Sequence, residues 1–574
     1  MKTLNLHVDY IKFKPLKKAI KKIEELPEKD KTEKTVKEAL AVFTAVESSD
    51  KDIEKVTQKL VQSIEEIANQ INVKNIVLYP YAHLSKDLSD PETAQEILEK
   101  AEKELLKKKY EVLRAPFGYY KEFEMKVKGH PLSELSREIK TEDEKTPEKP
   151  ELSKEKYDPA KLLKEISKSK LDASKLKEND HRILGKKMDL FSFNEVAPGM
   201  VFWHNNGLAI RNELINFSRE LNKKYEYQEI QTPQILDKKL WQISGHWEKY
   251  KDNIFLTSYE KREFAVKPMN CPGGLLIFKS SPKSYKDLPI RAGEFGIVHR
   301  QELSGVLAGL FRVIQFTQDD AHIFCTEKQL EEEISKVIEL IDEVYSKFGF
   351  KYKVELSTRP EKRIGSDAIW DKAENALENV LKKRKMKYKI NAGDGAFYGP
   401  KIDFHLEDSL GRTWQCGTIQ ADFSMPERFE IEYTDSDNSK KRPIMVHRAV
   451  YGSIERFVGI LLEHFNGRLP TWLAPIQVRI INFADRNSGY TKVVYDLIKK
   501  EMPNLRIDMD LTQTTVPSKV KSAEEMKIPY IIVVGDKEES SESVAVRSRG
   551  SKKIENYSVE EFIKSTKKEI HRRE

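Results

Sequence analysis

A chain of 574 residues is longer than one hydrophobic core organises, so three or four domains are expected. Lys and Arg number 100 against 93 Asp and Glu, a net charge of +7 that allows a polyanionic partner without demanding one, since local clustering decides where phosphate is attracted. Three scattered cysteines (Cys271, Cys325, Cys416) without a CxxC pair argue against a disulfide framework. The absence of a long apolar run or signal-peptide core argues against a membrane protein, so a cytoplasmic location is expected.

Residues 1–145 read as one α/β module. Alternating or buried-type runs predict strands at Leu4–Lys12, Lys37–Val46 and Asn75–Tyr79, and helical spacing marks Ile53–Asn69 and Thr93–Lys107. A strand pair, Glu111–Arg114 and Tyr120–Val127, turns through Pro116 and Gly118. Polar groups gather at element ends: His83, Tyr120 with Lys121, and Glu134. Singly, these read more readily as a loop histidine, an edge-strand lysine and a solvated glutamate. Residues 146–187, rich in Lys, Glu, Ser and Asp, predict a charged linker with a short amphipathic helix from Pro159 to Leu176.

Residues 188–470 form the largest expected domain. Pro198-Gly-Met precedes an amphipathic helix, Gly207–Lys223, and a strand, Tyr227–Thr232, that stops at Pro233. Strand-like runs Phe295–Val298 and Phe311–Phe316 flank a Gly-containing loop and predict an antiparallel hairpin. It would present Arg300 and Arg312, two guanidiniums suited to clamping phosphate oxygens. Gln318, Asp320 and His322 alternate beyond it and on a strand would share one face, ahead of a helix, Glu327–Phe348. Gly393-Asp-Gly-Ala-Phe-Tyr-Gly399-Pro-Lys401 has the glycines of a phosphate loop. It lacks the Lys-Ser/Thr ending and precedes a strand, Lys401–Glu407, so that reading fails. Thr413–Gln420 is another strand with alternating polar groups.

Residues 471–574 alternate strand and helix: Val478–Phe483, Tyr490–Lys500, Leu505–Asp510, Ser518–Lys527, Tyr530–Val534, Val544–Arg549 and Val559–Arg572. The pattern predicts a mostly parallel sheet packed by helices.

Several stretches carry a family resemblance. Arg300-Gln-Glu302, the loop, and Phe311-Arg312-Val-Ile-Gln-Phe316 look like motif 2 of class II aminoacyl-tRNA synthetases; Phe316-Thr-Gln-Asp-Asp-Ala-His-Ile-Phe-Cys325 resembles the threonyl enzymes in particular. The helix, strand and proline of 198–233 resemble motif 1, which implies a homodimer, and Val446-His447-Arg448-Ala-Val-Tyr-Gly452-Ser-Ile-Glu-Arg456-Phe resembles motif 3. Tyr79-Pro-Tyr-Ala-His83-Leu-Ser, Ala115-Pro-Phe-Gly-Tyr-Tyr-Lys121 and Gly129-His-Pro-Leu-Ser-Glu134-Leu-Ser-Arg137 resemble the archaeal threonyl-tRNA synthetase editing domain, itself similar to D-aminoacyl-tRNA deacylases. The last hundred residues look like a class IIa anticodon-binding domain, with Glu538 and Arg547 at anticodon-reading positions; Gln513 stands where bacterial members usually carry asparagine.

The resemblance, to archaeal-type threonyl-tRNA synthetases, implies an α/β and α+β multidomain chain. It would comprise a deacylase-like editing domain (1–145), the linker (146–187), a class II antiparallel-sheet catalytic domain (188–470) and an α/β anticodon-binding domain (471–574). It further implies ATP-dependent ligation of L-threonine to tRNA(Thr) through a threonyl-adenylate, with hydrolytic editing of Ser-tRNA(Thr). Arg300, Arg456, Lys401 and Gln415 are its expected catalytic residues. ATP would meet Arg300, Glu302, Arg312, Phe316, Gln415, Thr418 and Arg456, with Mg2+; threonine would meet Met269, Gln318, Asp320, Tyr398 and Gln420. His83, Tyr120, Lys121 and Glu134 would edit. Cys271, His322 and His447 fall on ligand positions for one Zn2+ per subunit, although spacing alone leaves them three distant residues.

Such a site would chelate the amino and hydroxyl groups of threonine and reject valine. Serine keeps both ligands and lacks one methyl, worth about 1–3 kcal/mol, so a second, hydrolytic site is expected. A free-standing deacylase cannot account for residues 188–574, which leaves two rivals at this point: a class II synthetase for another amino acid, and a synthetase-like RNA-binding regulator without catalysis. The full set of motif arginines and ligand positions argues against each.

Overall fold

The computed structural model describes residues 1–139, 163 and 176–573, apart from positions 21, 22, 24, 261, 409, 410 and 552. The chain divides into two compact units, residues 1–155 and 156–574. Among the described residues each unit has its own apolar clusters.

The first unit is built on a long strand, β1 (Lys2–Lys18). It pairs antiparallel with β2 (Lys34–Ala45), and β3 (Asn75–Pro80) and β4 (Glu111–Arg114) continue the sheet in parallel. Helices α1 (Ile53–Gln70) and α2 (Pro91–Lys107) make the crossovers that parallel pairing requires. Asp52 and Asp90 cap them by accepting from Lys55 N and Thr93 N. Their buried stripes, Val56, Leu60, Ile64 and Ile67 against Ile97, Ala101 and Leu105, keep the helical period the sequence showed. The far edge of β1 is shared end to end: β5 (Tyr119–Val127) pairs with its second half and β6 (Glu134–Glu138) with its first residues.

The second unit begins with a short helix, α3 (His181–Lys187), docked onto later elements through His181. This helix lies within the stretch 146–187 that the sequence reading assigns to a charged linker and short helix. Of the expected helix Pro159–Leu176, all but Leu163, which is helical, and Leu176, which is not, lies outside the described residues.

After α4 (Asn205–Lys224), an eight-stranded sheet dominates. In chain order its strands are β7 (Gln228–Glu229), β8 (Ile290–His299), β9 (Gln315–Cys325), β10 (Lys351–Ser357), β11 (Tyr388–Asn391), β12 (Lys401–Glu407), β13 (Thr413–Asp422) and β14 (Ile444–Ser453). Their spatial order is β11-β10-β12-β13-β14-β9-β8-β7, antiparallel except at the two outermost pairs. α4, α5 (Leu330–Lys347), α6 (Asp367–Lys383) and α7 (Ile454–His464) bury one face against Ile323, Ile402, Ile419 and Val446. Alternation then forces the neighbours His322, Lys401, Gln420 and His447 onto the opposite face.

Three expectations change. The second hairpin strand runs Gln315–Cys325 rather than Phe311–Phe316, because Gly309–Phe311 forms a 3-10 turn held by α3 and α7; Arg312 therefore leaves a loop. The strand Tyr227–Thr232 is only Gln228–Glu229, since Thr232 turns inward to bond Glu294. The C-terminal sheet is mixed. Val478–Asn482 pairs in parallel with Ile507–Asp510 and Tyr530–Val534, but Ser543–Ser548, reached through a short helix Asp536–Ser540, and a fifth strand, Ile554–Ser558, add on antiparallel. Among the described residues no helix is long and apolar enough to cross a membrane.

Candidate active site

The helix-free face of the large sheet carries two cross-strand rows. Lys401, Gln420, His447 and His322 are successive partners across β12, β13, β14 and β9; two residues along lie Asp403, Thr418, Ala449 and Asp320. Over the first row lies a helix, α8 in order of mention (Cys271–Lys279), whose first residue brings a thiol to the two imidazoles. A donor atom from each of Cys271, His322 and His447 lies within 4.8 Å of the others, and all three residues are buried.

The surroundings of this triad fit a cation. Both ring nitrogens of His322 are buried with no hydrogen-bond partner, which is costly unless something else binds them. His447 Nε2 is held by Asp422 Oδ2 at 2.9 Å, which leaves Nδ1 to coordinate, and Asp422 is fixed in turn by Ser424 N and Met425 N. Burial pushes the Cys271 thiol up, holds His322 neutral and raises the Asp320 carboxyl to about 6. Asp320 Oδ2 also accepts from Asn270 Nδ2. Tyr398 closes the pocket with its ring 5.3 Å from that of His447, Gln420 donates to Gly399 O, and Met269 packs beside Leu236 and Trp241. Gln318 lies at the outer end of β9, opposite Gly296.

Beyond the pocket the site becomes cationic. Arg300 donates to Pro268 O and lies over the Phe316 ring at 5.1 Å. Arg312 is paired with Glu302 at 2.9 Å, and Arg456 donates to Phe311 O at 2.9 Å. Burial, then the charges of Arg300 and Arg312, pull the Arg456 guanidinium below its ordinary range, the mark of a place that favours an anion. Sequence reasoning missed Asp403, which gathers Lys401 at 2.8 Å, Gln415 at 2.6 Å, Thr418 at 3.0 Å and Ser357 at 2.9 Å.

Asp319, on the opposite face of β9 from Asp320, was also missed. Between Gln318 and Asp320 the partner strand β14 spends two extra residues, Ser453 to Ala449, and so bulges. The Asp319 carboxylate accepts from the bulged Val450 N (3.0 Å), Tyr451 N (3.0 Å) and Gly452 N (2.9 Å). Gly452 sits there at φ +71°, the left-handed region glycine tolerates. His246, buried with Nδ1 bonded to Ser244 and Nε2 unpartnered, faces Tyr398 and was likewise unforeseen.

In the first unit the four expected residues do not converge within one chain. Lys121 donates to Pro116 O and Tyr119 O and lies over Tyr79, which leads through Tyr81 to His83 by ring contacts of 6.3 and 5.3 Å. Tyr120 points to the other face of β5, against Lys17. Glu134 pairs opposite Leu6 whereas Lys121 pairs opposite Pro15, nine residues of β1 away or roughly 30 Å of extended strand. At the C-terminus, Glu538 caps its own helix by accepting from Gly535 N, and Arg547 pairs with Glu524 at 2.7 Å, opposite Ile531 at the other end of that central strand.

Comparison with known proteins agrees with this geometry. Residues 1–139 match the archaea-specific editing domain of threonyl-tRNA synthetase, residues 255–465 the tRNA synthetase class II core domain (G, H, P, S and T), and residues 477–569 the anticodon binding domain. A threonine–tRNA ligase of Clostridium tetani is 53% identical over 414 residues, 71% of this chain and 64% of that protein. The crystal structure of the RNA binding domain of threonyl-tRNA synthetase from Cryptosporidium parvum Iowa II is 39% identical with a TM-score of 0.66, covering 68% of this chain and 98% of that one. The chain belongs to the threonyl-tRNA synthetase family.

The threonyl-tRNA synthetase family is thus represented here by a chain that spans 64% of the length of its Clostridium relative. Its likeness to Giardia lamblia prolyl-tRNA synthetase, with a TM-score of 0.56 at 18% identity over 68% of this chain and 78% of that one, is one of fold alone. Within this threonyl-type chain the missed carboxylates had a signal: Asp403 and Asp422 fall two residues from Lys401 and Gln420 on their strands, hence on the same face.

Proposed function

We propose that the chain joins L-threonine to tRNA(Thr) and hydrolyses Ser-tRNA(Thr). The observation that carries this reading is the Cys271, His322 and His447 donor triad beside a cationic face bearing Arg300, Arg312 and Arg456. One thiolate and two imidazoles suit zinc with a fourth position open, and a bound zinc would supply a Lewis-acid contact that tells threonine from valine. Asp320 would accept from the threonine hydroxyl or ammonium, with Gln318, Tyr398, Gln420 and Met269 around it. A carboxylate oxygen of threonine attacks the α-phosphorus of Mg2+-bound ATP, and the bond to the β-phosphate oxygen breaks to release pyrophosphate. Arg300 would stabilise charge at the α-phosphate and Arg456 at the γ end, with Glu302, Arg312, Thr418 and Gln415 near the nucleotide and Phe316 against adenine. Lys401 and Gln415, held by Asp403, would face the adenylate. The terminal hydroxyl of tRNA then attacks the adenylate carbonyl and AMP leaves.

For editing, Lys121 and His83 would hold the seryl ester and a water. Tyr120 faces the other side of β5 and Glu134 lies far along β1, so neither joins them in one chain and a second copy would supply them; this supports a homodimer. Glu538 and Arg547 would read the anticodon, and the protein would work in the cytoplasm. The domain limits 1–145, 146–187, 188–470 and 471–574 belong to the same proposal. The test is aminoacylation of tRNA(Thr) with threonine and with serine, with zinc measured on the same sample. Threonylation with one zinc per subunit is expected; full zinc without threonylation would overturn the reading in favour of an RNA-binding regulator.

A further inference from the structure

We propose that His181, at the end of the segment joining the two units, is a positioning residue for the ATP-facing loop 300–314. His181 is 1% exposed. Glu463 Oε1 lies 2.7 Å from its Nδ1 and accepts from its backbone N at 3.1 Å, while Leu310 N donates to its Nε2 at 3.0 Å. Because Leu310 offers a proton, Nε2 must carry the lone pair; the imidazole is therefore neutral, with its proton on Nδ1 facing Glu463. Asp180, His181 and Glu463 present donor atoms within 4.8 Å of one another, the spacing of a cation site. With both ring nitrogens already engaged, the cluster is a hydrogen-bonded clamp instead.

The clamp reaches the arginines in two residues. Gly309 stands at φ +55°, and a Cβ there would lie 2.2 Å from His181 Nε2, so the loop can close on the ring only with glycine. Phe311 packs its ring 4.3 Å from the His181 ring and 4.3 Å from Trp414, and its carbonyl accepts from Arg456 Nε. Glu463 and Arg456 lie at opposite ends of α7, and Glu463 also binds Arg412. His181 thus ties the loop to both ends of the helix that carries Arg456, without itself facing a substrate.

The inference rests on the reading of this face as the ATP site, and the two can fail separately. Asparagine at 181 would still donate to Glu463 but would not reach Leu310; glutamine would still accept from Leu310. The experiment measures amide hydrogen exchange of peptides spanning 303–314, and KM for ATP and for threonine in pyrophosphate exchange, on the full chain and on His181→Ala, His181→Asn and His181→Gln. His181→Ala and His181→Asn should speed exchange at Leu310 and raise KM for ATP about tenfold, the worth of one buried hydrogen bond, with KM for threonine and zinc content unchanged. His181→Gln should recover most of both. Exchange at the parent rate in all variants, or equal losses in asparagine and glutamine variants, would overturn the proposal. A parent chain without threonine-dependent pyrophosphate exchange would overturn the ATP reading, and hydrogen exchange alone would then decide whether His181 pins the loop.

Discussion

Burial pulls the Lys121 ammonium down to about 8 from its ordinary 10.5, even though Nζ donates to two carbonyls. The unfolded chain keeps that proton up to 10.5, so between 8 and 10.5 it binds more protons than the folded one and stability gains as pH rises; below 8 the cost of burying the charge is present in full. Lys121→Met should therefore raise the Tm of the first unit most at pH 7 and progressively less toward pH 10.5. It should also abolish hydrolysis of Ser-tRNA(Thr) while threonylation continues; an unchanged hydrolysis rate would remove Lys121 from the editing role. Arg300→Ala should abolish threonine-dependent pyrophosphate exchange while Tm holds, since the only side-chain hydrogen bond of Arg300 among the described residues is to Pro268 O. An active variant would refute that assignment.

At the level of strands and helices, alternation made much of the site legible. Gln318, Asp320 and His322 share a face as their spacing required, and Lys401 to Glu407 is the strand expected. What failed was the start of β9. Phe311-Arg312-Val-Ile has strong strand propensity, yet contacts from Phe311 to His181, Trp414 and α7 hold it in a turn, and no local pattern announces partners 100 or more residues away. Asp403 escaped notice for a related reason: a carboxylate on a strand reads as solvent-facing until the neighbouring strands show it 1% exposed beneath Lys401 and Gln415. Asp403→Asn keeps the shape but removes the charge opposite Lys401. Pyrophosphate exchange should fall roughly 10- to 100-fold in kcat/KM, as for loss of a charge-assisted bond of about 1.5–3 kcal/mol, with little change in circular dichroism.

For the whole molecule, residues that meet in space were the least legible. Cys271, His322 and His447 come together only because β9 and β14 pair in register and α8 lies over them. In the same way, the sequence grouped Tyr120 and Glu134 with Lys121, but β1 holds Glu134 away and alternation along β5 turns Tyr120 to the other face. The separate apolar clusters of the two units have a calorimetric consequence. Two unfolding transitions are expected, and a strong chelator should lower only the one belonging to residues 156–574, because metal bound to the folded state adds stability by mass action. Cys271→Ala should shift the same transition and lose the zinc; a chelator that moves both transitions equally would contradict independent folding of the units.

The three-fold grip of Asp319 on the bulge of β14 divides β9 into two lines of descent. The side chains at 318 and 320 take no part in that grip, whereas 319 is bound to the architecture that carries Arg456. Substitution at 318 or 320 can change what the open face of the sheet presents while the bulge stays fixed. Loss or gain of a single residue between 318 and 322 would swap the two sets at once. The bulge thus fixes the number of residues in this strand, whatever side chains its open face carries.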